Sequence, residues 1–224
     1  RTPLTLIKGP VKQIMDSEIA ESLKEKCKIV LRNSDRLLGL INQILDLSKL
    51  ESGEMKLKVS ETNIVKYLKG LVLSFASLAE RKRISLKFDY GNKEIFGYVD
   101  HDKMEKIVAN LLSNAFKFTP EGGKVEVELS LRGASQLTGD VANPNRIASL
   151  HSSSCNDINS QIQIQVSNTG PGIPDNQLDK IFDRFYHDDD NYKNDSEGTG
   201  IGLALTKELV EVCHGEISVS SIPN

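Results

Sequence analysis

The sequence predicts an α plus α/β protein: a helical hairpin that dimerises into a four-helix bundle, followed by an α/β sandwich. Three observations predict it. Residues between Leu23 and Ser48 form a mostly apolar seam at alternating steps of four and three, the spacing of a buried helical stripe. Beyond Gly53 the pattern changes to alternation, clean in Lys124–Leu131 and Gln161–Val166, interleaved with amphipathic stretches; this reads as half-buried strands of a mixed sheet with helices on one face. The length of 224 residues allows one large domain or two small ones at ~150 residues per domain.

Hydrophobic residues make up 38% of the chain, which with 16 glycines is a globular rather than a disordered composition. Lys plus Arg number 28 against 31 Asp plus Glu, a net charge of −3, which argues against a generally basic nucleic-acid binder. Cys27, Cys155 and Cys213 are odd in number and far apart. They form neither a disulfide framework nor a CxxC metal site, and they fit a reducing compartment. The longest apolar stretch without a charge, Gly70 to Ala79, falls short of the ~20 residues that a membrane span needs, so no direct membrane contact is expected. The chain opens on Arg1-Thr2-Pro3 and closes on Ser221-Ile222-Pro223-Asn224 just after a strand pattern; both edges are expected to continue into a longer polypeptide.

The first helix spans Leu4 to about Met15, and Asp16-Ser17 breaks the chain before the second. There Leu23, Cys27, Val30, Ser34, Leu37, Ile41, Ile44 and Ser48 form the seam, with Leu31, Leu38 and Leu45 as a flanking row. So broad a face suits a bundle. Two helices cannot close a bundle alone, so a homodimer through residues 1–53 is expected. Glu51-Ser52-Gly53-Glu54 ends the helical region, and 54–224 form the second domain. It is expected to begin with a weak strand, Met55 to Val59, and one helix from Asn63 to Arg83. Strands at Ile84–Tyr90 and Ile95–Val99 lead to a helix over Asp100–Phe118, with Asp100 as N-cap. Between the two alternating strands, Gly133 to Ser160 is rich in Ser, Asn and Gly and has little periodicity; it reads as a surface insertion in a hairpin. His151 and Cys155 within it are too few to hold a metal. Helices at about Asp175–Phe185 and Ile201–Val212, then a strand at Glu216–Ser220, complete the order.

Four clusters carry chemistry. Asn110, Asn114 and Lys117 are spaced four and three apart and share one helix face beside Leu111 and Leu112. Amide oxygens ligate hard cations and an ammonium meets phosphate. The alternative is a solvated face, which is the reading given to Lys103, Glu105 and Lys106. In Asn168-Thr169-Gly170-Pro171-Gly172-Ile173-Pro174, alternate glycines let the backbone turn close to a ligand, or serve a turn alone. Gly198-Thr199-Gly200-Ile201-Gly202-Leu203 opens a helix, where free amides and the dipole favour an anion. It has neither GxGxxG spacing after a strand nor the GxxxxGK[ST] loop; without a ligand it would be a hinge. In Ile181-Phe182-Asp183-Arg184-Phe185-Tyr186 the phenylalanines read as core residues, while Arg184 and the nearby His187 could reach a phosphate.

Together, in this order and spacing, the four clusters resemble the sensor histidine kinase family, with its ATP-binding module of the gyrase–Hsp90–kinase–MutL type. Asn110–Phe118 resembles the family's N box, Asn168–Ile173 its G1 box, Ile181–Tyr186 its F box and Gly198–Gly202 its G2 box. Arg1-Thr2-Pro3-Leu4-Thr5-Leu6-Ile7 is similar to the tail of the H box, and Leu45–Gly53 to the end of the second dimerisation helix. The likeness covers nearly the whole chain apart from 133–160. It implies a dimerisation and phosphotransfer hairpin in 1–53 and a catalytic ATP-binding domain in 54–224.

The resemblance also implies roles for single residues. Asn114 would ligate Mg²⁺ bridging the ATP phosphates, with Asn110 beside the phosphates and metal-bound water. Lys117 would contact phosphate and Phe118 would pack near the adenine. Asn168 stands where the family has an aspartate that accepts a hydrogen bond from the adenine amino group; an Asn oxygen accepts the same bond without the charge. Gly170 and Gly172 would permit the turn beside the base, with Ile173 in the same cofactor-binding stretch. Asp188 to Glu197 would form a lid over ATP. Gly198, Thr199, Gly200, Gly202 and Leu203 would hinge it and meet the phosphates. Thr2 matches the position one helical turn after the acceptor histidine, which is linked to removing phosphate from the partner regulator. None of His101, His151, His187 and His214 precedes an Arg-Thr-Pro. The acceptor is therefore expected just upstream of Arg1, and the receiver domain of a response regulator is the expected recipient of the phosphate. The setting implied is the cytoplasmic portion of a membrane-anchored receptor. One alternative is a degenerate kinase acting as a dimeric scaffold or regulator phosphatase with weak ATP binding. A clamp or chaperone ATPase of the same module is disfavoured, because those enzymes place a glutamate where Asn110 stands and lack the Arg1–Ile7 front.

Overall fold

A computed structural model of the protein describes residues 2–15, 21–91, 94–133, 146–152, 160–186 and 199–222. The chain divides into two compact units, Arg1–Glu54 and Met55–Asn224.

The first unit consists of α1 (Thr2–Met15) and α2 (Glu21–Glu51). The two helices pack on one another, and Lys8 pairs with Asp35 across them. The break expected at Asp16-Ser17 lies outside the described residues. α2 turns Cys27 and Ser34 inward, at 7% and 5% exposure, whereas Leu23, Val30, Leu37 and Ile44 are between 41% and 51% exposed. Those four stand at heptad spacing, as do Ile7 and Ile14 of α1, which are also exposed. Two such rows on one hairpin are what a second hairpin covers in a four-helix bundle.

The second unit contains strands β1 (Val59–Asn63), β2 (Ser85–Asp89), β3 (Phe96–Asp100), β4 (Lys124–Gly133), β5 (Arg146–Ser152), β6 (Ser160–Asn168) and β7 (Glu216–Ser220). Its helices are α3 (Ile64–Leu73), α4 (Ala76–Lys82), α5 (His101–Phe118), α6 (Asp175–Leu178) and α7 (Gly202–Val212). β1 and β3 pair antiparallel as a separate ribbon; the main sheet runs β2-β4-β6-β5-β7. β2 lies parallel to β4, and the other neighbours are antiparallel. Val127 faces Val166 and Leu129 faces Ile164 across the central pair. This row, with Val125 and Ile162, is at most 2% exposed. α5 packs against β6 and α7. It contributes Ile107, Val108, Leu111, Leu112 and Phe116 to the core, where Leu205 and Leu209 of α7 are also buried.

The strand expected over Met55–Val59 starts at Val59 instead. Its partner ends at Asp100, opposite Val59, because α5 begins there, so earlier residues have nothing to pair with. The single helix expected over Asn63–Arg83 is two. The Ser74 hydroxyl donates back to the Leu71 carbonyl at 2.7 Å, a local bond that competes with the helical ladder. The break lets Phe75 stack on Phe116 at 5.8 Å. β4 and β6 pair antiparallel as the arms of the expected hairpin, but the segment between them contains an unexpected strand, Arg146–Ser152, which forms β5 between β6 and β7. The segment has a register shift between Arg146 and Ala148, and a bulge of this kind hides the period-two pattern. β6 is not half-buried: flanked by β4 and β5, it buries Gln163, Gln165 and Ser167 as well as its apolar row. The helix expected over Asp175–Phe185 is the single turn α6. The Phe185 amide donates to the Gly200 carbonyl at 2.9 Å rather than to a helical one. Phe185 is therefore no core residue: it has φ +63° and is 64% exposed. Lys103 does not belong to a solvated face either; at 8% exposure it pairs with Asp100 at 3.6 Å and Asp102 at 3.1 Å.

Candidate functional site

The candidate site is organised by α5, and α5 is fixed at its start by Asp100. This residue is the N-cap, its Oδ1 accepting from the Lys103 amide at 3.1 Å and its Oδ2 from the Lys58 amide at 2.7 Å. Burial pushes the Asp100 carboxyl up, but those two amides and the Lys103 ammonium outweigh it and hold the carboxyl below the usual carboxylate range. His101 is occupied structurally: its Nε2 lies 2.7 Å from Thr62 Oγ1 and its ring stacks on Tyr67 at 4.5 Å. At the other end of α5, Lys82 Nζ donates to the Phe116 carbonyl at 2.8 Å, satisfying one of the terminal acceptors that a helix leaves open.

Along α5, Leu111 and Leu112 are fully buried and leave Asn110, Asn114 and Lys117 half-buried on the other side. Asn110 Nδ2 donates to the Gly202 carbonyl at 3.2 Å and to Thr206 Oγ1 at 3.3 Å. The first and third sequence clusters thus meet directly, across 92 residues of chain. Among the described residues the Asn114 side chain makes no hydrogen bond, so its amide oxygen remains a donor atom for a ligand. Lys117 Nζ sits over the Phe118 ring, 4.9 Å from its centroid.

Asn168 ends β6 in register with Val125. Strand alternation puts it in the same row as Val166 and Ile164, on the face covered by α5. It is 9% exposed. Gly170 follows at very close quarters: a Cβ there would lie 2.7 Å from Asn168 Nδ2 and 2.7 Å from the Phe118 carbonyl oxygen. The second cluster therefore packs on the last turn of α5, near Lys117 and Phe118. Gly172 adopts φ +80°, which favours glycine. The Ile173 amide donates to Ser221 Oγ at 2.8 Å, tying this loop to the segment after β7.

In the third cluster Gly200 has φ +65° and Thr199 Oγ1 accepts from the Ile201 amide at 3.3 Å. Ile201 precedes α7, is buried, and gives the helix no side-chain cap. Among the described residues no side-chain cap is seen at the first turn of α7, around Gly202 and Leu203, which is the positive end of the helix dipole. Among the described residues a Cβ on Gly202 would meet Asn110, with Oδ1 at 3.8 Å, an ordinary van der Waals contact. Arg184 is ion-paired with Glu208 of α7 at 2.6 Å rather than left for a phosphate. Gly198, His187 and the expected lid lie outside the described residues, as does the side chain of Thr2. Burial, and secondarily Asp100, push the Cys213 thiol up, which makes it a poor nucleophile.

Thr206 was not singled out by sequence. Its signal is a hydroxyl residue four after Gly202, one helical turn on, within the apolar run of α7. A cavity of about 590 Å³ between α3, α4 and β2 contains none of the residues of the four clusters. Among the described residues no helix is long and apolar enough to cross a membrane.

Residues 99–224 match the family model described as Histidine kinase-, DNA gyrase B-, and HSP90-like ATPase, and residues 1–53 match the His Kinase A (phospho-acceptor) domain. Sensor histidine kinase TmoS of Ectopseudomonas mendocina is 35% identical over 100% of this chain and 20% of its own length. The chain spans between 13% and 20% of the first relatives that it matches. A crystal structure of full-length ShkA in complex with AMPPNP aligns over 100% of this chain and 45% of its own, with a TM-score of 0.70 at 20% identity. Histidine kinase ThkA in complex with the response regulator protein TrrA aligns over 83% of this chain and 47% of its own, with a TM-score of 0.52 at 22% identity. At these identities the two structures speak for the fold.

Proposed function

The chain belongs to the histidine kinase-, DNA gyrase B- and HSP90-like ATPase family and joins that domain to a His Kinase A domain, as in the core of a two-component sensor histidine kinase; from this premise we propose that it binds Mg-ATP and, in the longer protein, phosphorylates a histidine just upstream of Arg1. The phosphate then passes to an aspartate on the receiver domain of a response regulator. The observation that carries the reading is the contact of Asn110 with Gly202: the amide-bearing face of α5 meets the glycine-rich start of α7.

The residues present fit the groups that such a reaction needs. The Asn114 oxygen is a neutral hard donor of the kind that holds Mg²⁺ together with phosphates and water. Bound there, the ion would neutralise phosphate charge. The first-turn amides of α7 and the Lys117 ammonium would meet phosphate oxygens, as a helix N-terminus and a cation do. Asn168, at the end of β6, would read the adenine amino group, and Gly170 lets the loop close on Asn168 and on the Phe118 carbonyl. Phosphoryl transfer asks little covalent work of the protein, so these groups act by positioning and by charge stabilisation. The exposed rows on α1 and α2 support a homodimer through residues 1–53, which presents the histidine to the nucleotide. Thr2, one turn beyond that histidine, serves removal of phosphate from the regulator. The setting proposed is the cytoplasmic portion of a membrane-anchored receptor.

The full-length protein incubated with γ-labelled ATP should take up label that is acid-labile and base-stable and that transfers to a receiver domain. A folded, ATP-binding protein that takes up none is not a kinase. Asn168 favours a second reading, a degenerate kinase serving as scaffold or phosphatase, because the uncharged amide weakens the bond to adenine. Calorimetric titration with ATP separates the two: no binding by the native protein supports the scaffold.

A further inference from the structure

We infer that Thr206 is a positioning residue for the proposed phosphoryl transfer, fixing the side-chain amide of Asn110 so that its oxygen lies on the side where a Gly202 Cβ would be. The inference rests on the kinase reading above but concerns a residue outside the four clusters.

Thr206 lies one turn into α7 and is fully buried. Its hydroxyl donates to the Gly202 carbonyl at 2.9 Å. A hydroxyl has one hydrogen, so toward any further neighbour Thr206 Oγ1 can only accept. That neighbour is Asn110 Nδ2, at 3.3 Å, which also reaches the Gly202 carbonyl at 3.2 Å. Two acceptors thus face the same corner of the Asn110 amide. If the amide were flipped, its oxygen would lie against the Gly202 carbonyl oxygen, and the Thr206 hydroxyl could donate to it only by giving up its own bond to that carbonyl. The arrangement therefore settles an orientation that is otherwise a free choice for an asparagine. With the nitrogen held there, Oδ1 lies on the side where a Gly202 Cβ would be, at 3.8 Å. An acceptor oxygen suits metal-bound water; the NH₂ group would not.

A valine at 206 keeps the shape and burial but removes the acceptor, whereas a serine keeps the acceptor and leaves a methyl-sized void. The two roles Thr206 could have therefore rank the variants in opposite order. If it positions Asn110, Thr206→Val lowers kcat for autophosphorylation about fivefold, the value of one ordinary hydrogen bond, with KM for ATP little changed, and Thr206→Ser restores most of the rate. If it only fills the core, Thr206→Ser is the worse variant in both Tm and rate. Rates that follow Tm, or a Thr206→Val protein at wild-type kcat, overturn the inference. The side-chain NH₂ resonances of Asn110, assigned by their loss in Asn110→Asp, give a readout that needs no activity. Thr206→Val should shift one of the two protons upfield; an unmoved pair overturns the inference. Absence of labelling in the wild type, by contrast, refutes the kinase reading and leaves the NMR result to decide the orientation.

Discussion

At Gly170 a methyl group would lie 2.7 Å from both Asn168 Nδ2 and the Phe118 carbonyl oxygen, whereas at Gly202 it would stop 3.8 Å from Asn110 Oδ1. The protein's own packing requires the first glycine. Among the described residues it does not require the second. Gly170→Ala is expected to lower stability by about 1–3 kcal/mol through overpacking, measured by denaturant unfolding. Gly202→Ala should unfold within about 1 kcal/mol of wild type, since the backbone there is not left-handed, yet bind ATP at least several-fold more weakly. Asn168→Asp replaces a neutral acceptor with a charged one, worth about 1 kcal/mol more to a hydrogen bond, so titration calorimetry should show ATP bound several-fold tighter. Asp100 makes a prediction in acid. Its folded pKa lies below its unfolded value of ~3.9, so its contribution to stability is present above that value and is lost as pH falls through the lower, folded one. Thermal unfolding of wild type and Asp100→Asn from neutral pH down to about 2 should show the difference between them shrinking below the ordinary carboxylate range.

The helices and strands show what their sequences could and could not say. α5 was legible because its capping residue, apolar face and polar face are all local. The two rows of α2 were legible as one seam, but which row would face α1 was not, because that depends on the partner helix: Cys27 and Ser34 turn inward while Leu23, Val30, Leu37 and Ile44 stay exposed. The exposed row carries the prediction at this scale. Val30→Asp with Leu37→Asp should convert a dimer to a monomer by sedimentation equilibrium, with little loss of helical circular dichroism. β5 was hidden for a different reason. Its bulge interrupts the alternation, and its place in the sheet is supplied by β6 and β7 rather than by its own residues. The break between α3 and α4 likewise answers to a distant partner, the stacking of Phe75 on Phe116.

At the scale of the whole chain, the division into Arg1–Glu54 and Met55–Asn224 follows the change of periodicity at Gly53. The candidate site draws on residues near 110, 168 and 202. Their types and order pointed to it, but the pairing of Asn110 with Gly202 and Thr206 is a tertiary fact with no local signature beyond spacing. That pairing spans 92 and 96 residues, and it sets a schedule for synthesis. A ribosome adds ~5–20 residues per second, so roughly 5–20 seconds separate the emergence of Asn110 from that of its partners on α7. During that interval α5 can fold as a helix and pack on β6, but its amide-bearing face has nothing to close against. On the kinase reading, the nascent chain is therefore silent toward nucleotide until α7 has left the exit tunnel.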